Sequence, residues 1–158
     1  MLFRSKRKVR KGRKIMSFTY TRKINYYETD QMKVVHHSNY ARFMEEARLD
    51  LMEQVGLHYD TMEEKGIIIP VLDISCRFRY AVHYGDEIVV IPKITKITPV
   101  RFSLTYEIRD AKTNEIRCEG TSSHAFVNSE FRPMNIKKAF PEEYKKLEEM
   151  LVKEDGGQ

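Results

Sequence analysis

Apolar and polar positions alternate from Phe18 to Tyr27. Phe18, Tyr20, Ile24 and Tyr26 fall on one side, with Thr19, Thr21, Lys23 and Asn25 on the other. That period of two predicts a first strand with one face on a core. The period then changes. Tyr40, Phe43, Met44, Ala47, Leu51 and Val55 recur at three- and four-residue steps, the one-face spacing of an amphipathic helix. Ser38 is placed to cap that helix through its hydroxyl, with helical residues from near Asn39. Gly56 stands where a helix C-terminal glycine belongs. Leu49 points away from the apolar stripe, which predicts a second contact surface. His58 to Lys65 adds one or two helical turns, closed by Gly66.

From there the pattern is that of strands. Ile67 to Tyr80 is one long run with Pro70 near its start, and His83-Tyr84-Gly85-Asp86 makes a turn. Glu87 to Ile97 follows, and Pro92 inside it predicts an edge or a bulge. Val100 to Arg109 alternates through Phe102, Leu104, Tyr106 and Ile108. Asp110 to Asn114 turns the chain into a last strand, Glu115 to Val127. The short spacing predicts an antiparallel meander. Phe140-Pro141-Glu142-Glu143 opens a terminal helix, with proline in the first turn and acids beside the positive end. The order of elements therefore predicts an α+β fold: an antiparallel sheet wrapped around one central helix.

Charge changes the picture at one end only. Residues 1–15 hold eight Lys/Arg and no acid; taking these from the 28 basic residues leaves 20 against 23 acidic ones. The basic balance belongs to the arm, not to the rest. Residues 1–15 are thus expected to be a disordered basic extension, and 16–158 a single domain. The rival reading of the arm, a grip on nucleic acid or an anionic membrane surface, predicts weak and non-specific binding. No apolar run reaches membrane-spanning length, and no apolar segment follows the basic start as in a secretory signal. Cys76 and Cys118 are far apart with no C-x-x-C, which reads as reduced thiols in a cytoplasmic protein.

The candidate chemistry lies between the first strand and the long helix, in Y-Y-E-T-D-Q-M-K-V-V-H-H-S-N-Y. A loop carries Asp30, His36 and His37 to the start of a core helix. There unpaired N–H groups and the macrodipole favour developing negative charge. This stretch, followed by F-M-E-E-A-R, resembles the hot-dog-fold acyl-CoA thioesterases of the 4-hydroxybenzoyl-CoA thioesterase and YbgC type. Their signature is an Asp, a His seven residues on, then N-Y or S-Y opening the long helix. Asp30, His37 and Asn39–Tyr40 match it, while Met32–Lys33 stand where small residues, often Gly, are usual. The resemblance covers roughly residues 18–140.

The resemblance implies an acyl-CoA thioesterase, with Asp30 as nucleophile or general base. His37 would orient the carbonyl or support the leaving thiolate, and His36 would project elsewhere, or take that role if the register moves by one. Tyr26 matches a Tyr at the same offset in some such enzymes; it equally reads as the last inward aromatic of the first strand. Asn39 and Tyr40 would shape the substrate pocket, Tyr40 also lying on the core stripe. No cofactor is implied, coenzyme A being part of the substrate. No metal is expected, since His58, His83 and His124 lack zinc-site spacing; His124 reads as a core or interface residue. Arg77, Arg79, Lys93, Lys96 and Arg101 are candidates for the coenzyme A phosphates. The family's habit of edge-to-edge sheets implies a homodimer or homotetramer. An acyl-carrier-protein thioesterase and a non-catalytic acyl-CoA-binding regulator are the rival functions. Deleting residues 1–15 should leave folding and thioester cleavage intact, measured by circular dichroism and released thiol; loss of either overturns this division of the chain.

Overall fold

Period-two alternation along the strands and a helical stripe between them build two layers. The computed structural model describes residues 17–152, so the expectation for the basic arm lies outside the described residues. The elements are β1 (Tyr20–Lys23), a 3-10 turn (Tyr26–Glu28), α1 (Ser38–Gln54), α2 (Tyr59–Glu64), β2 (Val71–Phe78), β3 (Glu87–Ile97), β4 (Arg101–Asp110), β5 (Ile116–Ala125), α3 (Ile136–Ala139) and α4 (Pro141–Glu149). All strands pair antiparallel in the order β1-β3-β4-β5-β2. Phe43, Met44, Ala47 and Leu51 of α1 share one buried cluster with Ile88, Val90 and Ile94 of β3 and Phe102, Leu104, Tyr106 and Ile108 of β4. The fold is α+β, a curved sheet holding one long helix.

Three expectations need correction. β3, β4 and β5 form the expected meander, but β2 lies at the far edge beside β5 instead of pairing with β3. The segment after β2 is committed elsewhere: the Val35 N–H bonds the Val82 carbonyl (2.8 Å), and Val34 bridges His83. The first strand is shorter than its alternation and ends at Lys23, because the chain tightens into the 3-10 turn at Tyr26. Ser38 does not cap α1. The Nδ1 of His36 accepts the Ser38 N–H (3.2 Å) and meets the Ser38 hydroxyl (2.8 Å), so an imidazole performs the capping.

Pro92 is tolerated for a geometric reason. Among the described residues, β1 pairs with β3 from Glu87 to Val90 and the next bridge on that edge is Ile94 to Leu151, so Pro92 falls in the gap between them. Gly56 takes φ +82° in closing α1, where a side chain would be strained.

Gly120 answers a different need. It is buried on the inner face of β5, and a Cβ there would collide with the Met44 sulfur and come within 3.0 Å of the Ser75 carbonyl. The missing side chain lets α1 settle onto the sheet. Gly120→Ala should cost about 1–3 kcal/mol through overpacking, read as a lower Tm. The penalty should shrink in a Met44→Ala background, and equal penalties in both backgrounds would disprove this contact.

Candidate active site

The chain between β1 and α1 is a small hairpin. Thr29 bridges Val35, the Asp30 N–H bonds the Val34 carbonyl (2.9 Å), and the Lys33 N–H bonds the Asp30 carbonyl (2.9 Å). Lys33 takes φ 63°, the left-handed conformation that a Gly adopts more cheaply. Asp30 stands at the turn, part-exposed, and its Oδ1 accepts the Met32 N–H (2.8 Å). One carboxylate oxygen thus holds the turn, while the other has no hydrogen-bond partner among the described residues.

His36 and His37 do not diverge. Their rings lie 4.1 Å apart, tilted by 32°. Because Nδ1 of His36 accepts a backbone N–H, the proton of its neutral ring belongs on Nε2. His37 is exposed beside it. The helix start also differs from expectation. The N–H groups of Ser38, Asn39 and Tyr40 already have acceptors in His36 and His37, so at those positions the macrodipole remains but the donors are taken.

The other candidates separate. Tyr26 is 78% exposed and meets Tyr84 edge-on at 5.7 Å; it is not the inward end of a strand. Asn39 is buried, with Nδ2 on the Glu28 carbonyl (2.8 Å) and Oδ1 accepting from Arg42 (3.2 Å). It locks the helix start to the 3-10 turn. Tyr40 packs at 4.9 Å from Phe78, and burial pushes its hydroxyl up to about 12.

That contact marks an apolar trough. Ile74 and Phe78 share the inner face with Ser122 and Cys118, their buried partners on β5. Yet they stay 44% and 53% exposed: Tyr40 of α1 touches Phe78, but the helix leaves much of both side chains uncovered. An open groove of about 450 Å³ lies elsewhere, lined by Leu49, Glu53, His58 and Tyr59. It includes none of the loop residues; Leu49, expected at a second contact surface, is on its wall. Cys76 and Cys118 are free thiols, both raised by burial, Cys118 to about 12, and are poor nucleophiles.

Sequence reasoning missed Arg22 and Glu28. Arg22 is 5% exposed and grips Glu28 with both nitrogens of its fork, at 2.8 and 2.7 Å. The available signal was phase: between Tyr20 and Ile24, Arg22 is a cation on the inward face, which demands a carboxylate.

A curved antiparallel sheet around one helix, with a carboxylate and imidazoles at that helix's start, defines a hot-dog-fold enzyme. The profile of the thioesterase-like superfamily matches residues 24–148, and the chain belongs to that superfamily, as a thioester hydrolase by class. It is 38% identical over 120 residues to the "Putative acyl-CoA thioesterase YneP" of Bacillus subtilis (strain 168), covering 75% of this chain and 86% of that protein. It is 24% identical to the acyl-acyl carrier protein thioesterase ATL3 of Arabidopsis thaliana, over 72% of this chain and 60% of that one. Among solved structures, a DHNA-CoA thioesterase from Staphylococcus aureus superposes with a TM-score of 0.79 at 30% identity, covering 83% and 88% of the two chains. Among the described residues, no helix is long and apolar enough to cross a membrane.

A second polar cluster lies under α1. Arg48 Nη1 donates to the Tyr106 hydroxyl (3.3 Å), which meets Ser122 Oγ (2.7 Å), which meets His124 Nε2 (2.8 Å). His124 is fully buried, stacked on Phe102, with Nδ1 unpartnered. It is a core histidine, as expected. Burial first, then the Arg48 charge, push it from 6.5 down to about 3, against a smaller opposing pull from Asp73. The unfolded chain therefore takes this proton below pH 6.5 while the folded one refuses it down to about 3. Stability is fully present above 6.5 and is lost as pH falls through that window. Between about pH 7.5 and 5, the wild type should lose about 2 kcal/mol more than His124→Phe in denaturant titrations. Parallel losses would show that His124 does not titrate this way.

Proposed function

We propose that this chain hydrolyses an acyl-CoA thioester to free acid and coenzyme A, with Asp30 as the working carboxylate. The reading is carried by the hairpin that presents Asp30 with one oxygen uncommitted, beside the start of α1. Asp30 attacks the thioester carbonyl, or takes a proton from the water that does. The C–S bond then breaks, and the thiolate leaves and is protonated; on the nucleophilic route a water then hydrolyses the Asp30 anhydride and frees the acid. His37 orients the carbonyl or supports the thiolate, and the α1 dipole favours the oxyanion. Tyr26, four residues before Asp30, and Tyr84, one residue after His83, form an exposed aromatic pair, and His83 bridges Val34 of the hairpin. The trough along Ile74 and Phe78 suits the acyl group. The 4-hydroxybenzoyl-CoA and YbgC type remains our preferred subgroup on the Asp30-to-His37 spacing.

Dimerisation belongs to the same reading. Among the described residues β2 pairs only with β5, its other edge is unpaired, and Val71, Leu72, Ile74 and Phe78 along it are all substantially exposed. A free strand edge flanked by exposed apolar side chains invites another strand. A second copy would close the trough, with a tetramer built from such dimers. A thioester carried on acyl carrier protein is the second reading, favoured by the Arabidopsis relative; the chemistry at Asp30 is unchanged.

Asp30→Asn preserves the bond to the Met32 N–H and removes only the charge. Turnover of an acyl-CoA panel, followed by released thiol, should fall at least about a hundredfold in kcat with little change in KM. A fully active Asp30→Asn protein with unchanged Tm would leave Asp30 a turn residue and favour a non-catalytic acyl-CoA binder. Light scattering at micromolar concentration should give a dimer or tetramer mass; a monomer would sink the shared trough.

A further inference from the structure

Glu28 is the residue on which the hairpin and the helix start converge. Its carbonyl accepts two bonds, from the His36 N–H (2.9 Å) and from Asn39 Nδ2 (2.8 Å). Its carboxylate accepts three, two from Arg22 and one from the Asn25 N–H (2.8 Å). Arg22 is fixed in turn: its guanidinium lies 4.5 Å over the Phe43 ring, and its Nε is 3.5 Å from Glu46, which also accepts the Tyr20 hydroxyl (2.9 Å). A rigid path thus runs from α1 and β1 through one ion pair to the peptide that holds His36. Thr29 and Asp30 follow directly.

From this geometry we infer that Arg22 and Glu28 are positioning residues for the thioester-cleaving site. This rests on the function proposed above. Neither side chain meets substrate. Their fork fixes where the Glu28 carbonyl points, and so where His36, His37 and Asp30 stand relative to one another. Reacting groups displaced by even about 1 Å forfeit rate on the order of a hundredfold. A merely structural pair would lower stability and leave turnover per folded molecule alone.

Glu28→Gln keeps the shape and the acceptor for Asn25 but removes the charge facing Arg22. It should lower kcat by roughly ten- to a hundredfold with KM within about twofold of wild type. Hydrogen exchange at the His36 amide should speed up at least about tenfold relative to the Phe102 amide, reporting local release of the hairpin. Arg22→Lys, which keeps the charge and loses the fork, should recover part of the kcat that Arg22→Met loses. If Glu28→Gln fails to fold, the Arg22 pair carries the same two measurements. A lower Tm with kcat near wild type overturns the inference, as does a fall in kcat without faster exchange at His36. A wild-type protein that cleaves no thioester instead sinks the proposed function, while the His36 exchange still decides whether the pair positions the hairpin.

Discussion

The buried fork between Arg22 and Glu28 is the constraint on which the rest of this end of the molecule depends. A guanidinium taken out of water is costly unless its charge and hydrogen bonds are answered, and breaking such a pair costs more than forming it gained. Here both partners are over 90% buried, and the answer comes from a residue only six positions later in the chain. The intervening residues must therefore turn back at once. That requirement ends β1 at Lys23 and makes Tyr26–Glu28 a 3-10 turn.

The same requirement separates what the amino-acid pattern reveals from what it hides. The α1 stripe, the β4 alternation and the Gly56 stop were legible because each depends on neighbours a few residues away. β2's place beside β5 was not, since it depends on where Val82 and His83 are spent, and they are spent on the hairpin before α1. Tyr26 misled for a related reason. Its period-two phase is correct, but the Glu28 bond to the Asn25 N–H curls the backbone and turns the ring outward.

Of the candidate site, the local elements were legible and the wiring was not. Asp30 stands in the turn of the hairpin before α1, and His36 and His37 stand at the helix start. Which N–H groups are free there could not be read, because the ring that takes the Ser38 N–H, His36, is also one of the candidates. Asn39 spends its side-chain amide on the Glu28 carbonyl and Arg42, and Tyr40 is buried against Phe43 and Phe78. The apolar trough arises because α1 meets β2 at Tyr40 and Phe78 yet leaves Ile74 and Phe78 about half exposed.

Lys33 carries a consequence of its own. Holding a lysine at φ 63° costs backbone energy that a glycine would not incur. A glycine there would also sample many more shapes in the open loop. The lysine narrows the open loop's ensemble but biases it away from the left-handed region, so the bonds from Lys33 to Asp30 and from Asp30 to Val34 must hold the hairpin shape against that preference. Related chains with glycine at this position would then differ less in the structure of the loop than in how its motion responds to temperature.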